Sequence, residues 1–188
     1  DRRRGPRCLS SSEQSSEVYI GFEVPLPKEA NFVLLHGYTG SPNANFFPWL
    51  KKELENRGHK VSVPHLPNTN NPNIAEQIEY VLKNEKFNEN TVLLGHSLGS
   101  VVALKVLEKL NKPIRKLITV AGFCQPKFKD KSRPFEKGFD WKFDFNKIRK
   151  NAGRVVIMRA ENDTAVFGER ADRLKNNLGG EIIDFRAE

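Results

Sequence analysis

One serine in the sequence has the spacing that can turn a hydroxyl group into a nucleophile. Ser97 is the centre of a Gly-x-Ser-x-Gly motif at residues 95–99. A strand pattern over 91–94 runs into the motif, and a helical pattern over 100–110 follows it. A strand that bends abruptly into a helix has no room for side chains two positions either side of the serine, so glycines supply bare backbone there. This order predicts a nucleophilic serine rather than a surface serine at an ordinary joint.

A serine hydroxyl attacks a carbonyl only with help from other groups. It needs a base to take its proton, an acid to orient that base, and N–H donors for the negative oxygen of the tetrahedral intermediate. The backbone N–H of Leu98, at the start of the helix, is one predicted donor of this oxyanion hole. The second is the N–H of Tyr38, because His36-Gly37-Tyr38 follows an earlier apolar strand as the motif follows its own.

The orienting acid is expected in a loop after a later strand, in agreement with the chain order of such triads. Asp163 follows the strand pattern at 154–158 and lies three residues before Val166, which makes it the first candidate. Glu161 is the second candidate. An aspartate in such a loop also serves as a turn or helix-cap residue, and that alternative stays open.

The elements that would position these residues alternate between strand and helix along the chain. Apolar runs predict strands at 32–35, 60–63, 91–94, 116–120, 154–158 and 181–185. Helical periodicity appears at 47–58, 74–83, 100–110 and 169–178. The alternation predicts an α/β domain with a mostly parallel sheet that is covered on both faces.

Length and composition limit the class of protein. A chain of 188 residues fits one domain, and none of its apolar runs is long enough to cross a bilayer. Two cysteines, Cys8 and Cys124, cannot form a disulfide framework, so an intracellular, reducing compartment is expected. The cytoplasm is the default, while arginines and serines in the first 17 residues keep a mitochondrion or another organelle open.

Two segments stand apart from the regular pattern. Residues 1–30 read as a largely disordered N-terminal extension with a strand pattern at 18–24, before the main domain at 31–188. An irregular insert at 123–150 is rich in aromatic residues, and we expect them to cover the core; a lid over the serine is the alternative. Within it, residues 127–150 hold nine basic and four acidic side chains, typical of a solvated loop or of a contact surface for a protein partner. Nucleic acid is not the expected partner, because no RNA-binding motif accompanies these residues.

The motifs together resemble those of a known family. The His-Gly-Tyr loop, the Phe-Phe-Pro-Trp-Leu helix at 46–50, Gly-His-Ser-Leu-Gly and the Glu-Asn-Asp loop at 161–163 are similar to those of small serine hydrolases of the retinoblastoma-binding protein nine family. The resemblance implies the α/β-hydrolase fold, a three-layer αβα sandwich, and a Ser–Asp–His triad. It also implies hydrolysis of a carboxylic ester, thioester or amide in a small-molecule acyl substrate, without a metal or organic cofactor.

The chain departs from the family pattern at the base. In these enzymes the histidine follows the last strand, whereas the sequence stops at Glu188, so the fold is expected to be truncated at its C-terminus. The histidines present are His36, His59, His65 and His96. None fits the role, and a triad without its base loses several orders of magnitude in rate. The sequence thus leaves two hypotheses: a serine hydrolase seen in part, and a catalytically inactive hydrolase-like subunit of a larger assembly.

Overall fold

The structure is a computed structural model that describes residues 27–126, 136, 138–160 and 168–185. The strand pattern at 18–24 and nearly all of the extension at 1–30 lie outside the described residues. So do Asp163, Glu161 and all five basic residues from 127 to 137.

A six-stranded sheet forms the centre of the described structure. Its strands are β1 (Asn31–Leu35), β2 (Lys60–Ser62), β3 (Thr91–His96), β4 (Lys116–Val120), β5 (Arg154–Ala160) and β6 (Glu181–Phe185). Their order is β2-β1-β3-β4-β5-β6, and each pair is parallel. The predicted α/β class and parallel sheet are therefore confirmed.

The helices cover both faces of this sheet. They are α1 (Phe47–Asn56), α2 (Ile74–Asn84), α3 (Leu98–Lys109), α4 (Phe145–Ala152) and α5 (Gly168–Leu178). Successive strand residues point to opposite faces, so Phe32 and Leu34 pack with α1 while Val33 and Leu35 pack with the cluster that includes α2 to α5. Apolar side chains dominate the strands because both faces are buried, with Thr91, Lys116 and Thr119 as buried polar exceptions, and the three layers are those of an αβα sandwich. Within the part of the chain that the structure describes, no helix is both long and apolar enough to cross a membrane.

The end of the insert at 123–150 is helical, and its prediction as irregular chain is wrong there. Helix α4 begins at Phe145, and the side chain of Asp144 accepts a hydrogen bond from the Lys147 N–H at 3.0 Å as its N-terminal cap. Ile148 and Ala152 are the apolar residues that the helix buries. Three basic residues on the exposed side, Lys147, Arg149 and Lys150, made this narrow apolar face hard to recognise in the sequence.

The described aromatic residues of the insert pack onto α3. Phe139, Trp141 and Phe143 lie against the larger core cluster. The Lys105 ammonium of α3 lies 4.5 Å from the Phe143 ring centre, and the Glu108 carboxylate accepts the Asp144 N–H at 2.8 Å. These contacts agree with the interpretation that the aromatic residues cover the core.

The strand order changes direction between β1 and β3. From β1 the chain crosses through α1 to β2 at one edge, and then returns to place β3 on the other side of β1. Leu35 at the end of β1 pairs with Gly95 of β3. In open parallel sheets, the carboxyl ends of two such strands border a crevice where ligands bind. The Ser97 motif and the loop that starts at His36 both begin there.

Candidate active site

Ser97 has a strained backbone at the joint between β3 and α3. Its φ and ψ angles are 52° and −121°, outside the regions that residues with a side chain normally occupy. Its N–H donates to the Val120 carbonyl at 2.9 Å, which fixes the bend to the end of β4. Strain of this kind costs about 1–3 kcal/mol and is concentrated at functional sites. The half-buried Ser97 is thus held where a relaxed backbone would not place it.

The two motif glycines are required by close backbone contacts, as the sequence predicted. A Cβ atom on Gly99 would lie 2.3 Å from the Leu35 carbonyl oxygen. A Cβ atom on Gly95 would lie 2.5 Å from the Ser100 Cα. Side chains at these positions would push α3 away from β1 and β3, so the glycines allow the bend.

Ser100 fixes the carbonyl side of Ser97, a role that the sequence reasoning missed. Its hydroxyl donates to the Ser97 carbonyl at 2.6 Å and accepts the Phe123 N–H at 3.2 Å. Ser100 is fully buried. The sequence does indicate this role through a small polar residue in the otherwise apolar run at 98–104, because a buried hydroxyl needs hydrogen-bond partners.

The predicted oxyanion-hole residues lie around Ser97. Leu98 is the first residue of α3, and the first N–H groups of a helix have no partner within it. A Cβ on Gly37 would lie 3.0 Å from the Ser97 Cβ and 3.4 Å from the Leu98 nitrogen. The loop that contains Tyr38 therefore passes directly beside the serine and the helix start.

His36 is a structural histidine that braces this loop. It is buried, its Nδ1 is 3.1 Å from the Gly37 carbonyl oxygen, and its Nε2 is 3.1 Å from the Leu66 nitrogen. A carbonyl only accepts and an N–H only donates, so Nδ1 carries the proton and Nε2 is the acceptor. Burial lowers the pKa of His36; the hydrogen bond to Gly37 opposes this effect and the nearby His65 adds to it. The ring stays neutral, with both nitrogens occupied.

The other three histidines differ in position. The Nδ1 atom of His59 accepts the Ala30 N–H at 3.2 Å, next to the start of β2 and so at the amino ends of the strands, whereas Ser97 follows the carboxyl end of β3. The ring of His96 packs edge-on against Phe46, with centroids 5.5 Å apart. His65 is exposed, and its ring lies edge-on to the His36 ring, with the ring centroids 5.9 Å apart.

The carboxyl ends of β5 and β6 are joined by an ion pair between Arg159 and Asp184, and Arg159 also pairs with Asp172 of α5. Arg159 contacts Asp184 at 2.5 Å and Asp172 at 2.9 Å. The hydrogen bond from Arg159 lowers the pKa of Asp184. These bonds fix the strand end from which the segment with Asp163 starts, although Asp163 itself lies outside the described residues.

A thiol does not compete with Ser97 as the nucleophile among the described residues. Cys124 is buried, and burial raises its pKa to about 11, so it stays protonated at neutral pH. The described residues contain no group of three His, Cys, Asp or Glu side chains that could hold a metal ion.

Comparisons with known proteins agree with this geometry. The YdeN protein of Bacillus subtilis (strain 168) is 31% identical over 140 residues, which cover 71% of this chain and 70% of YdeN. The crystal structure of the B. subtilis ydeN gene product superposes with a TM-score of 0.77 at 25% identity, over 84% of this chain and 86% of the other. An esterase from Exiguobacterium antarcticum shares the fold, with a TM-score of 0.61 at 16% identity over 84% and 83% of the two chains.

The family assignment covers nearly the whole described domain. The family described as serine hydrolase matches residues 32–188, which include the β1 loop, the Ser97 motif and the last strand. The chain therefore belongs to the serine hydrolase family, as an enzyme of the serine hydrolase type with the α/β-hydrolase fold.

Proposed function

We propose that this enzyme cleaves a carboxylic ester, thioester or amide through an acyl-enzyme on Ser97. The observation that carries the proposal is the strained backbone of Ser97 at the point where the strand order reverses. A hydroxyl in that position faces the crevice in which small substrates bind. The resemblance of the sequence motifs to those of the retinoblastoma-binding protein nine family supports the proposal of a small-molecule acyl substrate.

In the proposed reaction the Ser97 oxygen attacks the substrate carbonyl carbon as a base removes its proton. The N–H groups of Leu98 and Tyr38 stabilise the negative oxygen of the tetrahedral intermediate. The intermediate expels the alcohol, thiol or amine, which takes the proton from the base. Water then attacks the acyl-enzyme in the same way and releases the acid.

The acid–base pair completes the proposal. Asp163 orients the base, with Glu161 as the alternative, since both follow β5 in the chain order of Ser–Asp–His triads. That order places the base after β6. His36 is a poor substitute because both its nitrogens are occupied, and His59 is a poor one because it lies at the amino ends of the strands, whereas Ser97 follows a carboxyl end.

A fluorophosphonate probe tests the proposal on the full-length natural protein. We expect labelling that disappears in Ser97→Ala, and that falls by at least about a hundredfold in rate in Asp163→Asn. Ser62→Ala is the matched control, since Ser62 is a half-buried serine of β2 that bonds Glu85 at 2.8 Å. Folded protein that is not labelled, or labelling that survives in Ser97→Ala, would refute the proposal. The first result would favour the inactive subunit, with the basic segment 127–150 as its contact surface.

A further inference from the structure

Two neighbouring cavities lie along one loop beside the crevice. The larger, about 510 Å³, is lined by residues 65–71. The smaller, about 300 Å³, is lined by residues 71–75 together with Gly138 and Phe139. Asn71 lines both, so they form one continuous surface, here called the 65–75 surface.

A hydrogen bond joins the lining of the larger cavity to the loop at 36–39, which contains Tyr38 and is here called the 36–39 loop. The Thr39 N–H donates to the Thr69 carbonyl at 2.9 Å. Thr39 lies two residues after Gly37, which adjoins Ser97. We therefore expect the 65–75 surface to form one wall of the site that binds a substrate with its carbonyl at Ser97.

Buried polar side chains hold the wall in one conformation. Gln77, which is 3% exposed, donates to the Pro67 carbonyl at 2.8 Å. His36, which is 1% exposed, accepts the Leu66 N–H. Asn68 takes a left-handed φ of 52° and donates to Glu76 at 2.8 Å. A surface loop held by buried hydrogen bonds is preorganised, as a binding site requires.

The wall has no charged residue, although the chain as a whole is highly charged. Residues 61–75 contain no Asp, Glu, Lys or Arg, in a protein in which these make up 29% of residues. Gly138 and Phe139 add no charge. Exposed loops ordinarily carry such residues, so this exposed surface offers a ligand hydrogen-bonding groups without charge.

Two amide side chains on this wall are available for a ligand. Within the described ranges, Asn70 and Asn71 are exposed and make no side-chain hydrogen bond, whereas Asn68 and Asn73 are both bonded. Each amide offers two donor hydrogens and an acceptor oxygen, without charge. We propose that the 65–75 surface binds a neutral hydrogen-bonding group of the substrate, an amide or a hydroxyl, and discriminates against anionic groups. This inference rests on the proposed function, because it names the substrate class of the same site.

Esters that differ only in their end group test the proposal. A four-carbon chain that ends in a carboxamide, a carboxylate or an isopropyl group gives three substrates of nearly equal shape. The chain is placed on the acyl side in p-nitrophenyl esters and on the alcohol side in acetate esters. In at least one series, we expect kcat/KM for the carboxamide to exceed that for both others by about tenfold.

Variants locate the effect. Asn70→Leu and Asn71→Leu should each lower the ratio of kcat/KM for the carboxamide to kcat/KM for the isopropyl ester to about one or below. Asn56→Leu is the matched control, because Asn56 is exposed at the end of α1, shortly before the start of β2 and so at the amino ends of the strands, away from Ser97. Equal rates for the three end groups in both series, or a preference for the carboxylate, would overturn the inference and leave the proposed function standing.

If no ester is cleaved, that result would count against the proposed function. NMR titration of the side-chain amides would then test this inference independently of the proposed function. Acetamide should shift the Asn70 and Asn71 signals, and acetate at equal concentration should not. Absence of any shift, or a larger shift with acetate, would overturn the inference.

Discussion

Removal of the Ser100 hydroxyl should damage catalysis although Ser100 does not touch the substrate. The hydroxyl donates to the Ser97 carbonyl and accepts the Phe123 N–H, so it joins the strained bend to the chain after β4. In Ser100→Ala the Ser97 carbonyl keeps only the Ser100 N–H, at 3.0 Å. We therefore expect the backbone at Ser97 to relax toward a commoner conformation.

The size of the effect follows from the bonds that are lost. Phe123 is 1% exposed, so its N–H is left buried without this acceptor, which costs about 1–3 kcal/mol. The hydroxyl bond to Ser97 adds about 1 kcal/mol. For catalysis, displacement of a reacting group by about 1 Å can lower the rate by about a hundredfold. We expect a loss of about 2–4 kcal/mol in stability and a fall of at least about tenfold in kcat.

The assay must separate a displaced serine from a general loss of stability. Urea unfolding gives the free energy of unfolding, and a chromogenic ester gives kcat and KM, both at a temperature where each variant is folded. Ser62→Ala should lose stability through its bond to Glu85 with kcat unchanged. If Ser100→Ala kept the wild-type kcat, Ser100 would be a packing residue and not a positioning residue.

Two further predictions concern buried ionisable groups. Burial, with Arg154 adding to it, lowers the pKa of Lys116 to about 8. The unfolded chain then binds more protons than the folded protein between pH 8 and 10.5. Lys116→Met should therefore raise the free energy of unfolding at pH 7 by up to about 3 kcal/mol, and the gain should shrink toward pH 10.5 in urea titrations. For His36, whose pKa is lowered from 6.5, the stability present above pH 6.5 should be lost as the pH falls below it. His36→Gln should flatten this acid slope of the unfolding free energy, with the remainder due to His59, whose pKa burial also lowers.

The sequence was most informative where local sterics decide the structure. Runs of apolar residues, Phe32 to Leu35 in β1 and Val92 to Leu94 in β3, predict these strands, because a strand covered on both faces buries the side chains on both of them. The glycines of the motif follow from the bend alone. Strands β3 and β5 extend two residues beyond their predicted ends, to His96 and Ala160. They are longer than predicted because their backbones pair with neighbouring strands, and sequence composition does not show this pairing.

Contacts between residues that are far apart in the chain could not be predicted from the sequence. The partner of His36 is Leu66, 30 positions away, and the partner of the Ser100 hydroxyl is Phe123, 23 positions away. No periodicity predicts such pairs. The same holds for Asp163, whose role depends on its placement relative to a base and stays a prediction from chain order.

The His36 brace links the two proposals in one physical unit. A single neutral ring bonds both the Gly37 carbonyl, beside Ser97, and the Leu66 N–H, at the start of the 65–75 surface. A proton on Nε2 would remove the acceptor for Leu66, because an imidazolium ring has only donors. The 65–75 surface and the 36–39 loop would then both lose the His36 hydrogen bonds that hold them together. Burial, which lowers the pKa of His36, keeps the ring neutral and so maintains the wall and the loop in one fixed relation at neutral pH.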